Sequence, residues 1–228
     1  MNLLCGSFAV VAALMYNDLT LAFWLIVAGI VFDFFDGFVA RLLHSSSAIG
    51  VQLDSLADVI TSGLAPDAVL WQVCLQTEPC WLPEGWKLGY GVFVLAAFSA
   101  LRLAKFNIDE TQTVEFCGLP TPAGSLLCAS LGMLWQQGML ALSSDGVLLV
   151  AVLTSLLLVS PIRMFALKFH GFGWRGNEVR YLFLLASIVL IIILRTYAIP
   201  VIIVLYIVVS AVRWLCMRSG NPDKAPKA

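Results

Sequence analysis

Residues 33 to 58 read Asp33-Phe-Phe-Asp36-Gly37-Phe-Val-Ala40-Arg41 and then, after eight intervening residues, Gly50-Val-Gln-Leu-Asp54-Ser-Leu-Ala-Asp58. Four carboxylates here interrupt a sequence that is otherwise apolar. Asp33 and Asp36 are three residues apart, and Asp54 and Asp58 are four apart, so each pair occupies one face of a helix. Two such helices facing each other would bring all four acids to one point.

Four ionised carboxylates repel one another in a low-dielectric pocket unless a cation lies between them. Because the candidate ligands are all oxygen atoms, we expect Mg²⁺, Mn²⁺ or Ca²⁺ rather than Zn²⁺, and two ions rather than one. Such cations commonly bind phosphate groups. Gly37 and Ala40 keep the helix narrow beside Asp36, so that a bulky ligand can approach its backbone. Arg41 adds a planar cation suited to a phosphate oxygen.

The eight fixed positions of this pattern resemble the signature of the CDP-alcohol phosphatidyltransferase family: Asp33-x2-Asp36-Gly37-x2-Ala40-Arg41-x8-Gly50-x3-Asp54-x3-Asp58. A second segment, Arg102-Leu-Ala-Lys105-Phe-Asn107, resembles the Arg-Leu-Ala-Arg-Phe-Asn motif of the phosphatidylserine synthase subgroup. Lys105 replaces the second arginine, which keeps the charge and loses the bidentate fork. Residues 118–123, Gly-Leu-Pro-Thr-Pro-Ala, match a third motif of that subgroup.

The start of the chain carries a further resemblance. Asn2-Leu-Leu-Cys-Gly6 is similar to the Asn-Leu-x-x-Gly that opens the first helix of phosphatidylserine synthases. The Pro-Asn pair and amphipathic lead-in that usually precede it in relatives are absent from this sequence. For Asn2 and Gly6, a ligand-binding role and a helix start with a small packing residue both remain open.

These resemblances imply a divalent-metal-dependent enzyme of phospholipid biosynthesis. It would transfer the phosphatidyl group of CDP-diacylglycerol to the hydroxyl of L-serine, giving phosphatidylserine and CMP. They imply that the four aspartates ligate the metal and that Asp58 is also the general base. The implied contacts with CDP-diacylglycerol are Gly37, Ala40, Arg41, Ser47 and Gly50. The implied contacts with the serine carboxylate are Arg102, Lys105 and Asn107. The family resemblance also implies a homodimer.

The amino-acid composition predicts the environment in which this chain folds. Hydrophobic residues make up 61% and charged residues 12% of it, with a mean hydropathy of +0.94. Soluble domains carry about 25% charged residues, so we expect an integral membrane protein in contact with lipids. No basic stretch interleaved with aromatics predicts nucleic-acid binding. The six cysteines form no Cys-x-x-Cys pair, which argues against a metal or redox role for them.

Apolar runs separated by short polar breaks predict an all-α, polytopic bundle of about eight transmembrane helices. The predicted helices cover residues 2–16, 19–43, 50–73, 87–106, 121–140, 146–168, 180–195 and 197–217. We expect a catalytic core of six helices over residues 1–170, a C-terminal helix pair over 171–218, and a disordered tail over 219–228. Asp67 lies about 20 Å along its helix from Asp54, so we expect it to face protein or the far interface.

The lysines and arginines predict the orientation. With the N-terminus in the cytoplasm, eleven of them fall at inner ends of the predicted helices, and only Lys87 and Arg195 fall at outer ends. Under the positive-inside rule, this bias places the four aspartates at the cytoplasmic side of the cell's inner membrane.

Three alternatives compete with this interpretation. Another member of the same family would use glycerol 3-phosphate or an inositol phosphate as acceptor, with Arg102, Lys105, Arg163 and Lys168 supplying a basic cluster. A cation channel or transporter would have acids strung along the membrane normal, whereas here they are clustered. A catalytically inactive relative would lack part of the signature, whereas all eight of its residues are present.

Overall fold

The computed structural model describes residues 1–43, 47–81, 88–108, 115–165 and 177–220. These residues are mainly helical, and the helices lie where the apolar runs predict them. They are α1 Asn2–Leu14, α2 Leu19–Leu42, α3 Ala48–Asp58, α4 Ala65–Gln76, α5 Val94–Ile108, α6 Thr121–Gln136, α7 Ser144–Leu158, α8 Glu178–Leu194 and α9 Ala198–Gly220. A π-helical turn, Val59–Leu64, joins α3 to α4 in one continuous helix, and a 3₁₀ segment, Leu88–Phe93, leads into α5.

The all-α prediction is confirmed, and the described residues add two short strands that were not predicted. β1, Glu115–Cys117, pairs antiparallel with β2, Arg163–Phe165, so that Glu115 lies opposite Phe165. The predicted helix over 146–168 therefore ends early, at Leu158, because Pro161 cannot continue it. Gly118 makes the connection possible: it has a φ of 78° and its N–H donates to the carbonyl of Ile162 at 2.9 Å.

Among the described residues, three segments are long and apolar enough to cross a membrane: Leu19–Ala40, Gly89–Ile108 and Glu178–Cys216. The last segment has 39 residues and is divided by a turn at Arg195, which adopts a φ of 50°. α8 and α9 therefore form a hairpin and pack against each other. The outer face of α8 exposes large apolar side chains such as Leu185 and Ile192, as expected of a surface in contact with lipid.

The core lies where α1, α2, α4 and α6 meet. Phe23, Ile26, Leu70 and Met133 are almost completely buried there. Gly132 on α6 allows a close approach to α4, because a Cβ atom at this position would lie 2.2 Å from Cγ1 of Val69.

At the end of the bundle opposite the aspartates, two polar side chains form hydrogen bonds with the backbone of neighbouring segments. Gln136 Oε1 accepts hydrogen bonds from the N–H groups of Leu19 and Thr20, at the start of α2. Asp145 accepts hydrogen bonds from the N–H groups of Cys80 and Trp81, which ties the segment after α4 to the start of α7. The Ser143 hydroxyl, followed by these backbone donors, lowers the pKa of Asp145 to about 2, so this carboxylate is charged at neutral pH.

Candidate active site

Three of the four predicted acids meet at the facing ends of α2 and α3. Asp33, Asp36 and Asp54 each present a carboxylate oxygen, and these oxygens all lie within 4.8 Å of one another. Asp33 is half-buried and the other two are exposed. An all-oxygen donor set of this size and charge fits a hard divalent cation such as Mg²⁺ or Mn²⁺.

Asp58, the fourth acid, is joined to this group through Asn2. The side-chain amide of Asn2 donates one hydrogen bond to Oδ1 of Asp58 at 2.9 Å and another to Oδ1 of Asp33 at 3.0 Å. Asn2 is only 3% exposed. The first residue of α1 therefore belongs to the site, and it connects the two helices that carry the acids.

Close packing of α1 and α2 against the π-helical turn brings these residues together. The hydroxyl of Thr61, within that turn, donates to the backbone carbonyl of Asn2 at 3.1 Å. A Cβ atom at Gly6 would lie 2.3 Å from Oγ1 of Thr61, and one at Gly29 would lie 2.6 Å from its Cγ2. Glycine at both positions is what lets α1 and α2 approach this turn. The turn directly follows Asp58, so the same packing fixes where that acid lies.

The residues predicted to contact CDP-diacylglycerol lie on α2 and at the start of α3. A Cβ atom at Gly37 would meet no described atom within 4 Å, so this face of α2 is open to a ligand. Ala40 is half-buried one turn further on. Ser47 is the N-cap of α3, and its hydroxyl accepts the N–H of Gly50 at 3.0 Å. The side chain of Arg41 lies outside the described residues.

Arg102 lies in the interior of the bundle. It is 8% exposed, and its Nη1 donates to the hydroxyl of Thr121 at 2.9 Å. Its guanidinium lies 5.5 Å from the ring centre of Phe106 and interacts electrostatically with Asp58. The second and third sequence motifs therefore meet, because Arg102 belongs to one and Thr121 to the other.

The other predicted serine contacts lie closer to the surface. Lys105 and Asn107 are both exposed on the last turns of α5. The amide of Asn107 donates to the hydroxyl of Ser55 at 2.8 Å, which places it next to Asp54 on α3. Asp67 is not part of the site: it is fully buried, and its Oδ2 accepts the N–H of Ala96 at 2.9 Å.

Comparison with known proteins shows the family of this chain. The family model for CDP-alcohol phosphatidyltransferase matches residues 1–162. The chain belongs to the CDP-alcohol phosphatidyltransferase family. The resemblance drawn from the signature is thus confirmed. The match to this phosphatidyltransferase model spans the site from α1 to α7 and ends just before β2.

Several curated relatives in this phosphatidyltransferase family carry the name CDP-diacylglycerol–serine O-phosphatidyltransferase. The protein of Bacillus subtilis strain 168 is 33% identical over 173 residues, which cover 75% of this chain and 88% of the relative. That of Helicobacter pylori strain 26695 is 32% identical over 203 residues, covering 86% and 80%. That of Mycobacterium tuberculosis strain H37Rv is 32% identical over 240 residues, covering 98% and 81%.

Sequence reasoning left Asn2 undecided and did not single out the side chain of Thr121. Asn2 is separated by 31 and 56 residues from the acids it contacts, so no local spacing could link them. One signal was available: Asn2 is a polar amide at the very start of an apolar helix, in a sequence whose next two helices carry more acids than basic residues. Thr121 carried a weaker signal, as the one hydroxyl between the prolines of the Gly-Leu-Pro-Thr-Pro-Ala motif.

Proposed function

We propose that this protein transfers the phosphatidyl group of CDP-diacylglycerol to the hydroxyl of L-serine, giving phosphatidylserine and CMP. The observation that carries the proposal is the gathering of Asp33, Asp36 and Asp54, with Asp58 joined to them through Asn2. The names of the relatives support serine as the acceptor. Glycerol 3-phosphate and inositol phosphates are the alternative acceptors within this family.

A divalent cation, Mg²⁺ or Mn²⁺, is the cofactor of this proposal, and two ions are the expected count. Asp33, Asp36 and Asp54 would hold it, with Asp58 as the fourth candidate ligand. When bound, a hard cation neutralises negative charge on the diphosphate and on the departing CMP. Without it, the three clustered carboxylates repel both one another and an anionic substrate.

Asp58 is the proposed general base. A carboxylate within hydrogen-bonding reach of the serine hydroxyl accepts its proton as the oxygen attacks phosphorus. A new bond forms between the serine oxygen and the phosphorus next to the lipid, while the bond from that phosphorus to CMP breaks. The proton ends on Asp58, and the electron pair of the broken bond leaves with CMP. Donor and acceptor share one site, so no covalent enzyme intermediate is needed.

The remaining polar residues would orient the two substrates. Gly37, Ala40, Arg41, Ser47 and Gly50 would line the nucleotide and diphosphate, and the open face at Gly37 supports this. Arg102, Lys105 and Asn107 would hold the serine carboxylate. The buried cation of Arg102, which interacts electrostatically with Asp58, supports a carboxylate site near the general base. The acyl chains would stay in lipid, so we expect a lateral opening between helices.

The membrane arrangement is part of the proposal. We propose eight transmembrane helices, counting α3, the π-helical turn and α4 as one. A catalytic core over residues 1–170 would be followed by a C-terminal helix pair. The family match ends at residue 162, before α8 and α9, which supports this division. The acids would face the cytoplasm, where serine and the headgroup of CDP-diacylglycerol are available, and the enzyme would function as a homodimer.

An acceptor panel tests the proposed reaction. Purified protein would be incubated with CDP-diacylglycerol, Mn²⁺ or Mg²⁺, and serine, glycerol 3-phosphate or an inositol phosphate, and CMP release would be followed. We expect CMP release to require serine and to stop when EDTA removes the metal. Release with glycerol 3-phosphate but not with serine would assign the protein to another branch of its family.

Replacing Asp58 tests its role as the base. We expect Asp58→Asn to lower kcat at least about 100-fold, because the variant keeps the shape of the side chain and cannot accept the proton. Single-turnover CMP release at saturating substrates is the measurement. Near-normal turnover by this variant would remove Asp58 from the base role.

A further inference from the structure

We propose that Asn2 is a positioning residue that fixes Asp58 relative to Asp33. Its amide contacts both acids, at 2.9 Å and 3.0 Å, and thereby links the proposed general base to the metal-binding group. The effect on turnover rests on the proposed function. The effect on metal binding rests only on the contacts described here.

The chemistry of the amide suits this role. An –NH₂ group has two hydrogens and no charge, so it can donate to two carboxylates at once without neutralising either acid. A lysine or arginine in its place would pair with the acids and compete with the cation. The other amide atom, Oδ1 of Asn2, is buried and has no donor among the described residues. Leaving a buried acceptor without a donor is unfavourable. The amide keeps this orientation because its –NH₂ group then donates to both carboxylates.

The backbone of Asn2 is held as firmly as its side chain. Its carbonyl accepts the hydroxyl of Thr61, and Gly6 and Gly29 pack closely around that threonine. The amide therefore projects from a fixed point at the start of α1 instead of following the movements of the acids. A group that supports metal-binding carboxylates in this way commonly affects metal affinity or activity by about 10- to 100-fold.

The contacts also set Asp58 apart from the other three acids. Asp33 belongs to the group with Asp36 and Asp54, whereas Asp58 lies outside that group and contacts Asp33 and Asn2. Asp33 and Asp58 each use Oδ1 to accept from Asn2, which leaves each carboxylate a second oxygen. Loss of the amide would remove the two hydrogen bonds that hold the distance between these acids.

Two isosteric variants separate hydrogen-bond donation from packing. Asn2→Leu keeps the branching and the number of heavy atoms of the side chain and removes both donors, and Asn2→Asp keeps its shape and replaces the donors with a charged acceptor. Ser7→Ala is the matched control on α1, because the Ser7 hydroxyl is exposed and bonds only to the carbonyl of Leu3 among the contacts described here. For each variant, the Mn²⁺ dissociation constant would be measured by electron paramagnetic resonance, together with kcat, the KM for serine and the thermal midpoint in detergent.

We expect both Asn2 variants to lower kcat at least about tenfold, with the KM for serine changing less than about threefold. We expect Asn2→Leu to raise the Mn²⁺ dissociation constant about tenfold, and Ser7→Ala to leave all these values unchanged. A kcat and a Mn²⁺ affinity within twofold of the parent in folded Asn2→Leu would overturn the proposal.

If neither Asn2 variant folds, Thr61→Val provides the test, because it releases the backbone of Asn2 and keeps the amide. We then expect a smaller loss of kcat and of Mn²⁺ affinity, and parental values for both would reject the proposal. A parent protein that binds Mn²⁺ and makes no phosphatidylserine would contradict the proposed function alone. The Mn²⁺ affinities of the variants would still decide the role of Asn2.

Discussion

Gly6 and Gly37 lie on neighbouring helices near the acids, and their surroundings predict opposite responses to an added methyl group. At Gly37 a methyl group meets no described atom within 4 Å. We expect Gly37→Ala to keep or raise the free energy of unfolding by up to about 1 kcal/mol, from helix propensity. We expect its kcat/KM for CDP-diacylglycerol to fall about tenfold, because the methyl group occupies the face that the diphosphate approaches, and tenfold corresponds to about 1.4 kcal/mol.

Gly6→Ala is the matched comparison for this prediction. Its Cβ atom would lie 2.3 Å from Oγ1 and 2.8 Å from Cα of Thr61, so the backbone of one helix must move. Overpacking of this kind costs about 1–3 kcal/mol, and we expect a lower thermal midpoint in detergent together with lower activity. Equal losses of stability in both variants would show that Gly37 is also a packing position. Full activity in Gly37→Ala would remove it from the substrate-binding face.

The sequence predicted the site where the acids follow a helical period, and it failed where the contacts join residues far apart along the chain. Asp33 and Asp36 lie three residues apart on one helix, so the helical period placed both on one face, and Asp54 needed only that α3 face α2. The same spacing predicted that Asp58 would join them, and Asp58 does contact Asp33. It could not reveal the amide of Asn2 between Asp58 and Asp33, because the packing of Gly6 and Gly29 against Thr61 determines where α1 begins relative to the acids.

At the level of the elements, Gln136 at the end of α6 caps the N-terminus of α2. Its Oε1 accepts the N–H groups of Leu19 and Thr20, which lie in the first turn of α2 and have no partner within that helix. We expect Gln136→Ala to lower the free energy of unfolding by about 1–2 kcal/mol, as for loss of an N-cap. Catalysis should be retained at temperatures where the variant is folded, because the acids lie near the other end of α2.

Gln137→Ala is the control for this prediction. Its amide reaches only the hydroxyl of Thr20, at 3.4 Å, so little stability should be lost. Thermal unfolding of both variants in the same detergent would make the comparison. Equal midpoints for the two variants would contradict a capping role for Gln136.

The sequence predicted the helices because apolar runs of this length have few other solutions in a membrane. It failed at their ends, where turn chemistry competes with hydrophobicity. Met164 and Phe165 continue the apolar character of α7, yet Pro161 and the left-handed Gly118 divert this segment into a strand. The π-helical turn at Val59–Leu64 was also missed, because its sequence, Val-Ile-Thr-Ser-Gly-Leu, has no periodic pattern in which an extra residue per turn would show.

At the scale of the whole molecule, the orientation in the membrane decides which compartment the acids face. The distribution of lysine and arginine predicts that the start of α1 and the acids lie on the cytoplasmic side and that the segment after α4 lies outside. Cys80 lies in that segment and Cys216 lies near the end of α9, and both are exposed. Asp58 and Gln76 are separated by roughly 27 Å of helix, so the acids and Cys80 should lie on opposite sides of the bilayer.

These two cysteines give a direct test of the orientation. In variants that keep only Cys80 or only Cys216, we expect a membrane-impermeant maleimide to label Cys80 in intact cells. It should label Cys216 only after the cells are permeabilised. A reporter fused to the C-terminus should likewise be cytoplasmic. The opposite labelling pattern would place the acids outside, away from the cytoplasmic supply of serine and CDP-diacylglycerol headgroups. The orientation predicted from the charge bias would then be wrong for every helix, because a fixed bundle can only invert as a unit.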